Sequence, residues 1–399
     1  MAATPTVNPL ALTKATVRIT RAATDQVPEP SSTATAEEGP TSQVYLPSVP
    51  QEDEPTATLT PRVAPSRTPT PSRTPTPTPT PYPTLDFTAI RANLAASGQA
   101  MAVSKMGFHV SVGGNQTGLG VWMRRLDEAG VPFFLKSTDY AGPIFEAQQL
   151  AKASGVPHVL VYRSTGDVPD YDLSPAEAAQ QHWETHRDRF PPELDRNLVW
   201  LETVNEVDKN RSEWLAQFAL ETAQRALAEG YRWAAFGWAG GEPEISDWSG
   251  PTMLSFLRLV SQHPERLAIA LHEYSGTVED IAFEYPYRVG HFLHLFQVCD
   301  QYGIPRPTVL ITEWGWAYDE VPSPGAVIAD LSWASALYAP FPEVKGAAIW
   351  HLGGGVEFGT IAEQTQRLIA PVTRFGLTHY YAVPAPPSQA PADPALYGP

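Results

Sequence analysis

The chain has 399 residues, 43% of them hydrophobic and 10% aromatic, with a formal net charge of −16 and one cysteine. That length holds one large domain or two small ones, and a single cysteine excludes an intramolecular disulfide framework. So acidic a chain is a poor partner for nucleic acid or an anionic membrane surface, and no apolar run reaches the length of a membrane span.

Residues 1–60 are rich in Ala, Thr, Pro and Ser without sustained periodicity and are expected to be disordered. Residues 61–85 are a Pro/Thr-rich linker, reading PRVAPSRTPTPSRTPTPTPTPYP from Pro61 to Pro83. Such a run favours extended polyproline backbone and buries too little surface to offset its chain entropy. Up to Thr84, seven acidic residues face six basic ones, so about −15 of the charge belongs to the remainder. The linker resembles the spacers of exported carbohydrate-active enzymes. The resemblance implies a protein outside the cell or at its surface, although no apolar stretch of signal-peptide length is visible.

The folded domain is expected over residues 86–383, followed by a Pro/Ala-rich tail over 384–399. Short apolar runs there alternate with helical patterns. The predicted strands are Lys105–Ser111, Pro132–Ser137, His158–Arg163, Leu198–Asn205, Trp233–Trp238, Ala268–Tyr274, Thr308–Glu313 and Gly346–His351. Each is short, apolar and largely β-branched or aromatic, the composition of strands covered on both faces. Between them the patterns predict helices over Leu119–Ala129, Pro143–Ser154, Ser212–Glu229, Pro251–Gln262, Val289–Gln301, Pro324–Tyr338 and Ile361–Arg374. Gly130, Gly155 and Gly230 stop three of them. Ser174-Pro175-Ala176-Glu177 has the form of a capping box opening another. Eight β/α units in one series predict an α/β fold, the closed (β/α)8 or TIM barrel. A doubly wound open sheet is the alternative; Gly113-Gly114 after the first strand lacks the spacing of its phosphate loop.

In such barrels chemistry sits at the carboxyl ends of the strands. Those ends offer Asn205 and Glu206 (strand four), His272 and Tyr274 (strand six), Glu313 (strand seven) and Trp350 (strand eight). Two strand-end glutamates meet the need of glycosidic cleavage for one proton donor and one anionic carboxylate. Asn-Glu, His-x-Tyr, Thr-Glu-Trp-Gly and a final Trp, in that register, resemble clan A of the retaining glycoside hydrolases, which includes the cellulase-like family 5 and the xylosidase-like family 39. The resemblance spans about Lys105 to Phe375. It implies Glu206 as acid/base, Glu313 as nucleophile, Asn205 on the sugar 2-hydroxyl, Tyr274 donating to the nucleophile, His272 lining the site and Trp350 beneath the sugar. Unlike many members, this chain has Val204 and Val207 around the Asn-Glu pair. It carries Lys136, counted with the substrate-binding residues, where strand two often has Arg. Tyr162 and Arg163 stand on strand three where His is common.

Other features read as structure. Glu202 faces the strand interior with Glu206 and suits an ion pair with Lys136 or Arg163. His182 and His186 are spaced for a metal, but Trp183 occupies the position where a zinc-protease motif has Glu, which leaves a solvated helix face; His291 and His294 read the same way. Asp167, Asp170 and Asp172 lack calcium-loop spacing. Cys299 lies in an apolar helix as filler. Trp238, Trp248, Trp314, Trp316 and Tyr318 are expected near the mouth, Trp238 and Trp316 as sugar-stacking subsites, and Gly353-Gly354-Gly355 as a compact turn.

These readings predict a monomeric retaining hydrolase of a β-linked polysaccharide or oligosaccharide, with carbohydrate as its partner and neither cofactor nor metal. A non-catalytic carbohydrate-binding barrel displayed on a Pro/Thr stalk is the alternative, and a two-metal sugar isomerase a distant third.

Overall fold

The computed structural model describes residues 84–385 except 279, 318–319 and 355–358. The N-terminal segment, almost all of the linker and of the tail, Tyr318 and Gly355 lie outside the described residues. Eight parallel strands close into a barrel: β2 (Met106–Ser111), β3 (Phe134–Thr138), β4 (Val159–Arg163), β5 (Val199–Glu202), β6 (Arg232–Trp238), β7 (Leu267–Tyr274), β8 (Thr308–Gly315) and β9 (Val344–Leu352). All eight predicted strands are present. The fourth ends at Glu202, so Asn205 and Glu206 stand beyond it in the following loop.

Helices α2 (Leu119–Glu128), α3 (Ala141–Ser154), α4 (Pro175–Arg189), α5 (Ser212–Ala228), α7 (Pro251–Gln262), α8 (Phe292–Gln301) and α9 (Pro324–Tyr338) follow successive strands, with short α6 (Ile245–Trp248) before α7. Their ends follow local chemistry. Ser174 accepts from the Glu177 backbone N–H and Glu177 reaches back, with Pro175 in the first turn. Gly155 closes α3 with φ 78°. The single predicted last helix is two, α10 (Gly359–Gln366) and α11 (Ile369–Thr378), broken by a turn at Arg367–Leu368.

Besides the short α6, three elements flanking the barrel series are not expected from the sequence: α1 (Phe87–Ala96), β1 (Gln99–Val103) and β10 (Tyr380–Pro384). β1 and β10 pair antiparallel, Gln99 opposite Pro384 and Val103 opposite Tyr380. They pack through Ala100, Ala102, Tyr381 and Val383 beside Ala336 and Ala339, just before the amino end of β2. Both strands are too short and too weakly patterned to announce themselves.

The strand periodicity of two sorts side chains into two cores. Phe108, Leu135, Leu160, Leu201, Ala235, Leu271 and Ile349 face the helices. Phe134, Val161, Trp200, Ala234, Ala268, Ala270, Leu310 and Ala348 fill the barrel interior. Gly107 is glycine for space: a Cβ there would lie 1.7 Å from the Phe134 carbonyl oxygen. Among the described residues no helix is long and apolar enough to cross a membrane.

Candidate active site

Two residues beyond the apolar layer, the same strands turn ionic. Gly107 is followed by His109, Phe134 by Lys136, Val161 by Arg163, Trp200 by Glu202, Ala270 by His272 and Ala348 by Trp350. Lys136 and Glu202 are fully buried and joined at 2.7 Å. Thr312 donates to Glu202 at 2.7 Å. With Lys136, Arg163 and His272 around it, Glu202 is held below the usual carboxylate range although burial by itself pushes it up. Glu202 is thus a structural partner of Lys136, as its position in the strand implies.

Glu313 enters this layer by a break in the pleat. Counting by twos from Leu310 turns Thr312 inward and Glu313 toward the helices. The β7–β8 register shifts, however: Leu271 pairs with Ile311 and His272 with Glu313, leaving Thr312 as the extra residue. Such an insertion re-aims its side chains, and both Thr312 and Glu313 reach interior groups. Glu313 Oε1 lies 3.2 Å from Lys136 Nζ, 3.3 Å from Arg163 and 3.6 Å from His109. Its Oε2 accepts from the Tyr274 hydroxyl at 2.8 Å. Burial raises the carboxyl, but His272, Lys136 and Arg163 outweigh it and hold Glu313 well below the ordinary value, so it is an anion at neutral pH. Burial and the Glu313 charge together keep the Tyr274 phenol protonated.

Glu206 is positioned differently. It adopts a left-handed φ of 45° in the loop after β5, its N–H donating to Gly237 O at 2.7 Å. Its neighbour Asn205 donates from its backbone to Asp167 O and accepts from Arg163. The Glu206 side chain is half exposed. His272 Nδ1 stands 3.3 Å from Glu206 and 3.5 Å from Glu313. An oxygen of Glu206 and one of Glu313 fall within 4.8 Å of each other.

The two glutamates open into a cavity of about 700 Å3 whose lining includes Asn205, Tyr274, Trp316, Trp350, Arg163 and Arg288. The structure therefore brings together Glu206, Glu313, Asn205, His272, Tyr274 and Trp350. It does not bring the rest as expected. Lys136 is wholly buried beneath Glu313 and does not line the cavity; it meets the carboxylate, not a sugar. Trp238 is wholly buried, outside the cavity, because it packs against Phe236 of its own strand and Trp248 of α6. Trp248 and Trp314 are buried likewise. Trp316 lines the cavity but is only 1% exposed, its indole N–H held by Asp330 at 2.7 Å.

Sequence reasoning passed over His109 and His351. His109 bonds Thr138 at 2.9 Å and His351 bonds Ser111 at 2.8 Å. Burial pushes both imidazoles down, His351 to about 4, so they are neutral hydrogen-bonding groups at neutral pH. The signal is in the sequence: His109 stands near the carboxyl end of the first strand, as His272 does on the sixth.

Glu206, His272 and Glu313 also offer three ligand atoms close enough for a metal ion. A cation there would lie beside Lys136 and Arg163, which already supply the countercharge of Glu313. The helix histidines are not solvated: His182 bonds Thr203 O, His186 bonds Ser164, and His291 bonds Pro243 O, all buried. Burial of neutral imidazoles against backbone carbonyls satisfies them without metal.

No protein-family description and no curated protein matches the chain. Solved structures do. XacCel5A is 16% identical over 68% of this chain and 99% of its own, with a TM-score of 0.40. Endoglucanase Cel5A from the hyperthermophilic Thermotoga maritima is 14% identical over 67% and 96%, with a TM-score of 0.38. The catalytic domain of the mannanase from Streptomyces sp. SirexAA-E is 14% identical over 71% and 85%, with a TM-score of 0.34. These likenesses are of fold.

Proposed function

We propose that this protein is a retaining glycoside hydrolase acting on a β-linked polysaccharide or oligosaccharide, with Glu313 as nucleophile and Glu206 as acid/base. The observation that carries the reading is the carboxylate pair, with oxygens within 4.8 Å across an open cavity. Retaining enzymes hold their carboxyls about 5–5.5 Å apart, whereas inverting ones leave about 6.5–9.5 Å for a water. The asymmetry of the pair also supports it. Glu313 is buried, ionised and oriented by Tyr274, as an attacking carboxylate must be; Glu206 is half exposed, as suits a group that must protonate a departing oxygen and then activate water.

In the first step Glu313 attacks the anomeric carbon while Glu206 gives its proton to the departing glycosidic oxygen. The bond to that oxygen breaks and a glycosyl ester forms on Glu313. In the second step Glu206, now ionised, takes a proton from water, whose oxygen displaces Glu313 and restores the free enzyme. Trp350, facing Tyr274 at 6.5 Å between ring centroids, offers a platform for the sugar, and Asn205, held by Arg163, a hydrogen bond to it. On the same reading the Pro/Thr linker suits an enzyme that works outside the cell.

Hydrolysis of aryl β-glycosides and of glucans, xylans and mannans tests the assignment. Glu313→Ala is expected to lower kcat by about 10^4-fold or more, and azide to restore turnover with an inverted product. Undiminished activity in Glu313→Ala and Glu206→Ala would remove it. Glycan binding without turnover in the wild type would leave a binding barrel.

A further inference from the structure

Among the described residues, every charged side chain lining the cavity but one has a partner. Arg163 is spent on Glu313, Asp167 and Asn205, and Asp139 accepts the Thr165 N–H through both oxygens. Glu242 and Glu244, in the adjacent loop after β6, are taken by Lys209 at 3.0 Å and by the Tyr287 hydroxyl at 3.3 Å. Arg288 lines the same cavity, and its guanidinium has no hydrogen-bond or ion-pair partner among the described residues.

Its placement is nonetheless specified. A Cβ on Gly241 would lie 3.3 Å from Arg288 Cγ, and one on Gly276 would lie 2.8 Å from Nη1. Both glycines have left-handed φ, 85° and 72°, so the side chain lies along two backbones that only glycine leaves bare. Gly276 is two residues past Tyr274, the hydroxyl donor to Glu313, and its N–H bonds Trp316 O. The guanidinium thus stands in the cavity lining beside the loop that follows Tyr274 on β7. Such a group, planar and fork-shaped, pairs best with a carboxylate or a comparable oxyanion.

We infer that Arg288 is a specificity-determining residue that receives an anionic substituent, a uronic carboxylate, on a sugar near the cleaved bond. The inference deepens the glycosidase reading and rests on it for the identity of the ligand as a glycan. The acidity of the domain as a whole does not oppose it. Charges more than a Debye length away, about 8 Å at physiological ionic strength, are largely screened, while Arg288 acts at contact. The substrate this describes is a mainly neutral glycan with scattered carboxylates, because a polyanion would be repelled by the rest of the surface.

The test uses the full chain and two polymers, glucuronoxylan and a 6-carboxyl glucan, each paired with the same polymer whose carboxylates have been reduced to alcohols. For wild type, Arg288→Gln and Arg288→Lys, the ratio of kcat/KM on the acidic polymer to that on its reduced twin is measured. Retardation in native gels containing each polymer is measured in parallel. For at least one pair, the wild-type ratio is expected to exceed one by about tenfold, to fall to within about twofold of one in Arg288→Gln, and to be partly kept by Arg288→Lys. Raising the salt should erode the wild-type ratio and leave that of Arg288→Gln unmoved. A ratio near one in the wild type for both pairs, or an equal ratio in wild type and Arg288→Gln, overturns the inference. Retardation that follows the carboxylate and Arg288 without hydrolysis of any polymer would sink the glycosidase reading while leaving anion recognition standing.

Discussion

Within the barrel two layers lie a single side-chain repeat apart on the same strands, and they obey opposite rules. The lower, from Phe134 and Val161 to Leu310 and Ala348, is apolar throughout. The upper holds Lys136, Arg163, Glu202, His272 and Glu313 with almost no water around them. The lower layer gains stability from each buried methylene. The upper costs desolvation at every charge and persists because each charge is another's partner. A barrel can thus be stable below and reactive above with no change in backbone, and the arrangement can be broken from either side.

The largest stability effect is expected from unpairing the upper layer. Lys136→Met leaves Glu202 and Glu313 facing each other without their shared cation and should cost about 3–5 kcal/mol. In urea titration the loss should shrink on acidification. A carboxyl with a depressed folded pKa contributes stability above its ordinary value and loses it as pH falls through the folded one. The variant, lacking the depressing cation, has less to lose. Phe134→Ala, in the lower layer, should cost about 3–5 kcal/mol by opening a cavity. Its loss should be the same at pH 5 and pH 8, which separates packing from charge.

Tyr274→Phe sharpens the comparison in function. Removing one hydrogen bond to an ionised carboxylate should lower kcat about 10- to 100-fold on an aryl glycoside, with the melting temperature nearly unchanged. The smallest effect concerns Glu273, the next residue on β7 from His272 but facing the helices. Burial pushes it up to about 7 against its bonds from Tyr338 and from backbone N–H groups at the start of α8. A raised carboxyl contributes its stability below the ordinary value of 4.5 and loses it as pH rises through 7. Glu273 therefore opposes the gain in stability that the buried neutral imidazoles of His109 and His351 give as pH rises from 5 to 8. Glu273→Gln should enlarge that gain, by about 1 kcal/mol, in urea titrations at the two pH values.

The barrel was legible because strands covered on both faces leave apolar runs, and helices punctuated by Gly155 or capped by Ser174 leave chemical marks. Position at strand ends was legible too, and it brought out Glu206, Glu313, His272 and Tyr274. Which way a side chain turns was not. The inward aim of Glu313 depends on Thr312 being an extra residue in its strand, a matter of pairing with β7 that no single strand reveals. Of the tryptophans expected near the mouth, Trp316 lines the cavity and Trp238 does not: its place at a strand end points to the mouth, but Phe236 and Trp248 enclose it. Lys136 is legible as a partner for Glu202, two strands on; that it also meets Glu313, 177 residues away in sequence, follows only from closure of the barrel.

The ribbon of β1 and β10 has a consequence for engineering. It fastens the first and last strands of the folded part side by side at the floor of the barrel, with Leu85 also bonded to Leu377. A short bridge across that ribbon could join the two ends, and the chain could then be opened in a helix-to-strand turn on the same floor, leaving every loop of the mouth uncut.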